Sequence, residues 1–240
     1  MERVDNGPDP LFADRVSAGR LLGDALQLYA GPGTIVLGIP RGGVPVAAEV
    51  AHRLGAELDV VVARKLRAPG FPELAIGAVT ANGGQFLNDR VMRELGVSTE
   101  YLQREIAFQM EDARRREQRF RGGRGPQAIA GRAAIIVDDG LATGATLRAA
   151  VRSARSCGPA MLLAAVPVGA AESCAAVRGE VDAFVCLHER EDFWAVGFYY
   201  LDFDPVSDEE VERILHESHA IAAREPMAVA KVPRSGAGQP

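Results

Sequence analysis

The sequence predicts an α/β protein with a doubly wound, mainly parallel sheet flanked by helices. Three observations carry that expectation. Apolar runs of strand length alternate with runs of helical period, the pattern of repeated βαβ units. The chain is 48% hydrophobic but only 6% aromatic, and Ala, Val, Leu and Gly abound, as suits aliphatic strands buried on both faces. Two of the strands run directly into glycine-rich turns that open helices, residues 38–47 and 133–146, the connection that places ligands at the carboxyl ends of strands. At 240 residues one main domain with a sizeable core is expected.

The elements follow in order. Residues 1–10, polar and rich in Pro, Gly and Asp, read as a flexible arm before a domain spanning 11–224. Phe12, Val16, Leu21, Leu22, Ala25, Leu26 and Leu28 have helical spacing over 11–29, and Gly31-Pro32-Gly33 ends that helix. Thr34–Ile39 reads as a buried strand, Pro40-Arg41-Gly42-Gly43 as a tight turn, Val44–Leu54 as a helix and Leu58–Ala63 as a second strand. Leu66–Leu74, broken by Pro69, Gly70 and Pro72, reads as a loop. Ala75–Thr80 and Gln85–Asn88 flank the hairpin turn Asn82-Gly83-Gly84. Ser98 caps the longest helix, 98–121. Beyond residue 133, strands at 133–137, 161–166 and 181–186 alternate with helices at 147–154 and 170–177. An aromatic-rich stretch, 188–204, precedes a last helix, 208–223, capped by Ser207. The tail 225–240 lacks a hydrophobic pattern and is expected to be disordered.

The stretch AAIIVDDGLATGAT, residues 133–146, holds the densest chemistry. An apolar strand ends in two acids, Asp138 and Asp139, and a small hydroxyl-bearing turn leads into a helix. Free backbone N–H groups at that helix start form an anion site. Two carboxylates beside it would repel a bare phosphate and suit hydroxyls, a metal, or both. A phosphorylated sugar with vicinal hydroxyls meets both demands.

VDDGLATGAT resembles the 5-phosphoribosyl-1-pyrophosphate (PRPP) motif of type I phosphoribosyltransferases, and motif order extends the likeness over residues 11–215. The resemblance implies that fold, with a small C-terminal hood at about 187–205. It implies that Asp138 and Asp139 hold the ribose hydroxyls, and that Ala142, Thr143, Gly144, Ala145 and Thr146 cradle the 5-phosphate. Pro40, Arg41, Gly42 and Gly43, with Lys65, would bind the pyrophosphate, and a cis peptide would fall at Pro40–Arg41. Asp138, Asp139, Lys65 and Arg41 are then the expected catalytic set. Arg67 and Glu73 would belong to a lid closing over PRPP, and Phe193 or Trp194 would stack on the acceptor base. Mg²⁺ would be held mainly through PRPP, with Asp138 and Asp139 as its candidate protein ligands. Glu73 and Asp192 are candidate general bases.

The implied reaction moves the 5-phosphoribosyl group of PRPP to a nucleobase or related nitrogen acceptor, with release of pyrophosphate. The alternatives are a regulator that keeps the phosphate cradle without turnover, and a hydrolytic enzyme with water as acceptor. The family also implies a homodimer. A net charge of −5 argues against nucleic-acid or anionic-membrane partners. The N-terminus lacks a signal-peptide core, and a cytoplasmic location is expected. Cys157, Cys174 and Cys186, and the four histidines His52, His188, His216 and His219, have no metal-ligand spacing. The cysteines read as reduced and structural, and His216 and His219 as surface residues. The arginine-rich stretch 114–124 reads as a solvated helix face or a subunit contact.

Overall fold

Buried aliphatic runs build the three inner strands of the central sheet, and more polar strands form its two edges. In the computed structural model, which describes residues 9–31 and 33–224, these strands are β1 (Thr34–Gly38), β2 (Glu57–Val60), β6 (Ala133–Val137), β7 (Met161–Ala170) and β8 (Ala183–Arg190). Their order is β2-β1-β6-β7-β8, all parallel. Alternate side chains of each strand enter two different cores. Val36, Ile135 and Leu163 meet α1 (Arg15–Ala25), α2 (Gly43–Leu54) and α7 (Asp208–Arg224) through Leu22, Val50 and Leu215. Ile35, Ile136 and Leu162 meet α5 (Ala145–Ser156) and α6 (Ala171–Arg178) through Leu147, Val151 and Val177. Each such fully buried aliphatic side chain contributes roughly 1.5–3 kcal/mol, and together they fix which way every strand points.

A second, antiparallel sheet consists of β3 (Ala63–Ala68), β4 (Phe71–Thr80) and β5 (Gln85–Leu87). It packs Leu66, Ile76 and Val79 against α3 (Asp89–Glu94) and α4 (Thr99–Phe120), and Ala78 against α5. This corrects the loop expected at 66–74. Ala68 pairs with Phe71 and Arg67 with Ala75, so Pro72-Glu73-Leu74 bulges out of the ladder. A bulge needs no ladder donor and tolerates proline, which is why the breakers misled. Lys65 therefore lies within a hairpin strand rather than at the end of the second parallel strand, which stops at Val60.

Smaller departures have local causes. The first helix starts at Arg15, because Asp14 caps it and accepts from Ser17 N at 2.6 Å. Residues 11–13 instead pair with 199–202: Phe12 N donates to Tyr199 O at 3.0 Å and Leu201 N to Phe12 O at 2.9 Å. Leu28 consequently lies outside α1 and is exposed. Cys186 lies inside β8 rather than ending a strand, Cys157 is exposed, and all three cysteines are free thiols. His219 is half-buried, not a surface residue. All but the last two residues of the expected arm, and the whole expected tail, lie outside the described residues. No helix among the described residues is long and apolar enough to cross a membrane.

Candidate functional site

Two neighbouring strands deliver the site. β1 and β6 pair in register to their ends, Gly38 opposite Val137, and Ile39 N extends the ladder to Val137 O at 2.9 Å. Beyond that point one chain turns through Pro40–Gly43 into α2, and the other through Asp138–Gly144 into α5. The two turns pack without clearance. A Cβ on Gly42 would lie 1.9 Å from Asp139 Oδ2, and one on Gly43 would lie 2.8 Å from Val137 O. Only glycines let the Pro40–Gly43 turn lie against the acid pair. The Pro40–Arg41 peptide is cis.

The acids sit where charge is costly. Burial, then the neighbouring Asp139 carboxylate, pushes the Asp138 carboxyl well above its ordinary range. Burial also raises Asp139, but there a hydrogen bond and the charge of Arg15 oppose it. Arg15 Nε donates to Asp139 Oδ2 at 2.9 Å, and Asp139 N donates to Asp138 Oδ1 at 2.9 Å. Arg15 also donates to Asp204 O at 2.9 Å and lies over the Phe203 ring, 3.7 Å from its centroid. Tyr200 closes the same corner, its hydroxyl donating to Asp139 O at 2.6 Å. Burial, with Asp139 beside it, raises that hydroxyl and keeps it a donor.

The turn after the acids is held by its backbone, leaving its upper edge open. Leu141 N donates to Val168 O at 2.9 Å, Ala170 N to Leu141 O at 2.8 Å, and Ser173 Oγ to Ala142 O at 2.5 Å. Gly144, at φ 76°, occupies the left-handed conformation that starts α5. Ala142 and Thr143 are exposed, while Gly144 and Ala145 pack inward. The first N–H groups of α5 have no intrahelical acceptor, so this edge can receive an anion.

Cations line two adjoining cavities beside these turns. One, of about 170 Å³, is bounded by Pro40, Arg41, Val62, Arg64, Arg116 and Phe120, with Ala63 at its edge. The other, of about 290 Å³, is bounded by Arg64, Lys65, Arg67, Glu73 and Thr146, with Pro72, Ala63 and Ala75. Of the expected pyrophosphate residues, Arg41 thus faces the first cavity and Lys65 the second. The expected lid residues Arg67 and Glu73 line this second cavity together with Thr146, and it is the bulge in β4 that carries Glu73 there.

The segment expected to form the hood packs on the other side of the acid turn. Val196 packs where a Cβ on Gly140 would come within 2.5 Å of its side chain. Phe193 is partly buried against Tyr199, ring centroids 5.3 Å apart. Trp194 is exposed beside Phe198, 5.9 Å between centroids. Asp192 is exposed, and its carbonyl accepts from Tyr199 OH at 3.3 Å.

Sequence reasoning missed Arg15, Tyr200 and Arg116 at this site, since nothing local sets them apart. The arginine-rich stretch is mixed: Arg114, Arg115, Arg119 and Arg124 are exposed, as on a solvated helix face, while Arg116 is half-buried and Arg121 buried. Arg119 pairs with Asp208, Glu209 and Glu212, Arg121 with Asp59 and Glu117, and Arg116 with Asp112 and Asp208. These arginines tie α4 to α7 and β2 within the chain. Among the described residues no group of three or more His, Cys, Asp or Glu is arranged to hold a metal ion.

Two Mycobacterium tuberculosis proteins, from strains H37Rv and CDC 1551, each carry the name "Putative phosphoribosyl transferase" and are 45% identical over 209 residues, 87% of this chain and 47% of theirs. The chain therefore spans about half the length of the curated relatives it matches. The crystal structure of TT1426 from Thermus thermophilus is 46% identical, covers 86% of this chain and 98% of its own, and superposes with a TM-score of 0.73. The model of the phosphoribosyl transferase domain matches residues 16–204, and the chain belongs to that family.

Proposed function

We propose that the protein transfers the 5-phosphoribosyl group of PRPP to a nitrogenous base and releases pyrophosphate. The observation that carries this reading is the contact between the two turns: an acid pair at the end of β6, packed on a glycine turn at the end of β1, beside the open N-terminus of α5. Hydroxyl binding, diphosphate binding and monophosphate binding are then offered within one cleft.

In this reading Asp138 and Asp139 accept from the ribose hydroxyls. The backbone of Ala142–Thr146 receives the 5-phosphate, and Arg41 with the N–H groups of Gly42 and Gly43 receives the diphosphate. The bond from the anomeric carbon to the diphosphate oxygen breaks, the pair leaves with the diphosphate, and the acceptor nitrogen bonds to the anomeric carbon. The transition state carries positive charge on the sugar, so the protein's task is to position both partners and stabilise the departing anion. Lys65 faces the cleft from β3, and the Glu73 bulge, which lines the same cavity, would close over it as a lid that excludes water. Trp194, the more exposed of the two candidate rings, offers a face to a planar base.

Two carboxylates at one rim fit a hard cation held chiefly by substrate oxygens and water. Mg²⁺ so bound would neutralise diphosphate charge. The nucleobase acceptor and a homodimer complete the proposal and rest on the family; a cytoplasmic setting is proposed with them, consistent with three free cysteines.

The test is pyrophosphate release from PRPP with Mg²⁺, across purine, pyrimidine and pyridine bases, with a no-base control. Release that requires one base is expected and names the acceptor. The Arg15–Asp139 ion pair, which occupies one acid, is the observation favouring the alternative, a PRPP-binding regulator; tight PRPP binding without release would establish it. Release without any base would mark a hydrolase.

A further inference from the structure

The 170 Å³ cavity beside the Pro40–Gly43 turn is walled by three guanidinium groups from three elements: Arg41 of the turn, Arg64 of β3 and Arg116 of α4. Among the described residues, no carboxylate lines it. The acids stand behind: Asp112 Oδ2 lies 2.8 Å from Arg64 Nε and 3.1 Å from Arg116 Nε. Asp208 Oδ1 lies 3.6 Å from an Arg41 nitrogen and 3.5 Å from an Arg116 nitrogen. These contacts leave valence unspent. Among the described residues, both Arg64 Nε and Asp208 Oδ1 are buried without a well-aligned hydrogen-bond partner, a condition that costs free energy unless a ligand or a shift of partners relieves it. Three fixed cations facing two acids leave the cavity short of negative charge.

We propose that Arg116 is a diphosphate-binding residue, gripping, beside Arg41 and Arg64, the phosphoryl group of the leaving diphosphate that lies farther from the sugar. The proposal rests on the transferase reading, in which the basic strand residues Arg64 and Lys65 already face the diphosphate, and adds to it a residue of α4. Guanidinium groups suit the task because their planar forks match phosphate oxygens two at a time, which a lysine cannot do. Lys65 is excluded from this cavity and faces the neighbouring one. Asp208 is the resident counter-ion. Its contacts with Arg41 and Arg116 are longer than good ion-pair hydrogen bonds, and diphosphate oxygens replace them on binding. The arginine-rich end of α4 is thereby given two tasks: Arg119 and Arg121 anchor it to α7 and β2, and Arg116 reaches the ligand.

Titration calorimetry with inorganic pyrophosphate and Mg²⁺, and separately with ribose 5-phosphate, tests this on the full chain. Arg116→Ala is expected to weaken pyrophosphate binding about tenfold or more, the loss of a charge-assisted hydrogen bond, with ribose 5-phosphate binding unchanged. Arg116→Lys should recover only part of it. Arg115→Ala, one residue along and exposed on the same helix, should bind as wild type does. Asp208→Asn should tighten pyrophosphate binding, an opposite sign that a merely misfolded variant would not give. Pyrophosphate binding by wild type that Arg116→Ala, Arg116→Lys and Asp208→Asn all leave unchanged overturns the proposal and leaves the transferase reading standing. The expected binding pattern without base-dependent release from PRPP overturns the transferase reading and leaves the clamp.

Discussion

Arg15 Nε donates to Asp139 Oδ2 at 2.9 Å across 124 positions of sequence, tying the first turn of α1 to the acid pair. Its hydrogen bond and charge are the main effects opposing burial at that carboxyl. Removing the guanidinium should raise Asp139 further. An acid that must be ionised to accept from ribose hydroxyls loses that ability as pH falls through its folded value. Arg15→Ala should therefore move the acidic limb of PRPP binding to higher pH, and Arg15→Lys should fall between it and wild type. Affinity for PRPP measured through the acid range checks this, and superimposable profiles for wild type and Arg15→Ala would refute it.

Asp138 is expected to cost the fold stability at neutral pH. Its folded carboxyl is raised by burial and by Asp139, so the folded state holds its proton more tightly than the unfolded state. The linkage sign follows: the penalty is absent below the unfolded value, sets in as pH rises through it, and is complete above the folded value. Asp138→Asn keeps an oxygen for the Asp139 N–H and removes the charge. It should raise Tm at neutral pH, while PRPP binding is lost. The gain should vanish when both proteins are melted in acid. A variant less stable than wild type at neutral pH would show that the charge is compensated.

Gly42 and Gly43 should fail differently when each is changed to alanine. At Gly42 the new methyl meets the tip of a side chain, Asp139 Oδ2, which can swing away at the expense of its contact with Arg15. At Gly43 it meets backbone, Val137 O at 2.8 Å and Asp138 Cα at 2.9 Å, which cannot move without disturbing the β1–β6 ladder. Gly42→Ala is therefore expected to lose PRPP binding with a Tm near that of wild type. Gly43→Ala should lose about 1–3 kcal/mol of stability as well. Equal Tm values for the two variants would contradict this account.

The contrast between these glycines and Arg15 shows what the sequence could and could not disclose. The β6 strand, its acids and the turn after it are local. A buried run, a charge step and a helix start occur within 14 residues, 133–146, and each is fixed by chemistry at its own position. The same holds for the turn after β1. The hairpin of β3 and β4 was hidden because its bulge places Pro72 where a ladder would forbid it. Arg15, Tyr200 and Arg116 reach the site through tertiary packing. Tyr200 meets Asp139 across 61 positions, and no periodicity records such a contact. Arginines in a run look alike in sequence; only the fold separates Arg116 at a cavity from Arg115 in solvent.

The same run of arginines gives a test of anchoring. Arg121 is nearly buried, and its three nitrogens reach Asp59 Oδ1 at 2.9 Å, Glu117 Oε2 at 2.8 Å and Val60 O at 2.9 Å. Asp59, with side-chain exposure of 3%, also accepts from Gln127 N at 2.9 Å, so it cannot turn to solvent when its partner is removed. Arg121→Ala leaves a buried carboxylate without its cation and should cost about 3–5 kcal/mol. Among the described residues Arg115, whose side chain is 66% exposed, pairs only with Asp112, 2.5 Å away and three residues earlier. Its replacement by alanine should change stability by less than about 0.5 kcal/mol. Urea unfolding midpoints of the two variants, compared at one pH and salt concentration, make the measurement. Similar midpoints would mean that the α4 end is held by its many partners collectively and that the Asp59–Arg121 pair is not its anchor.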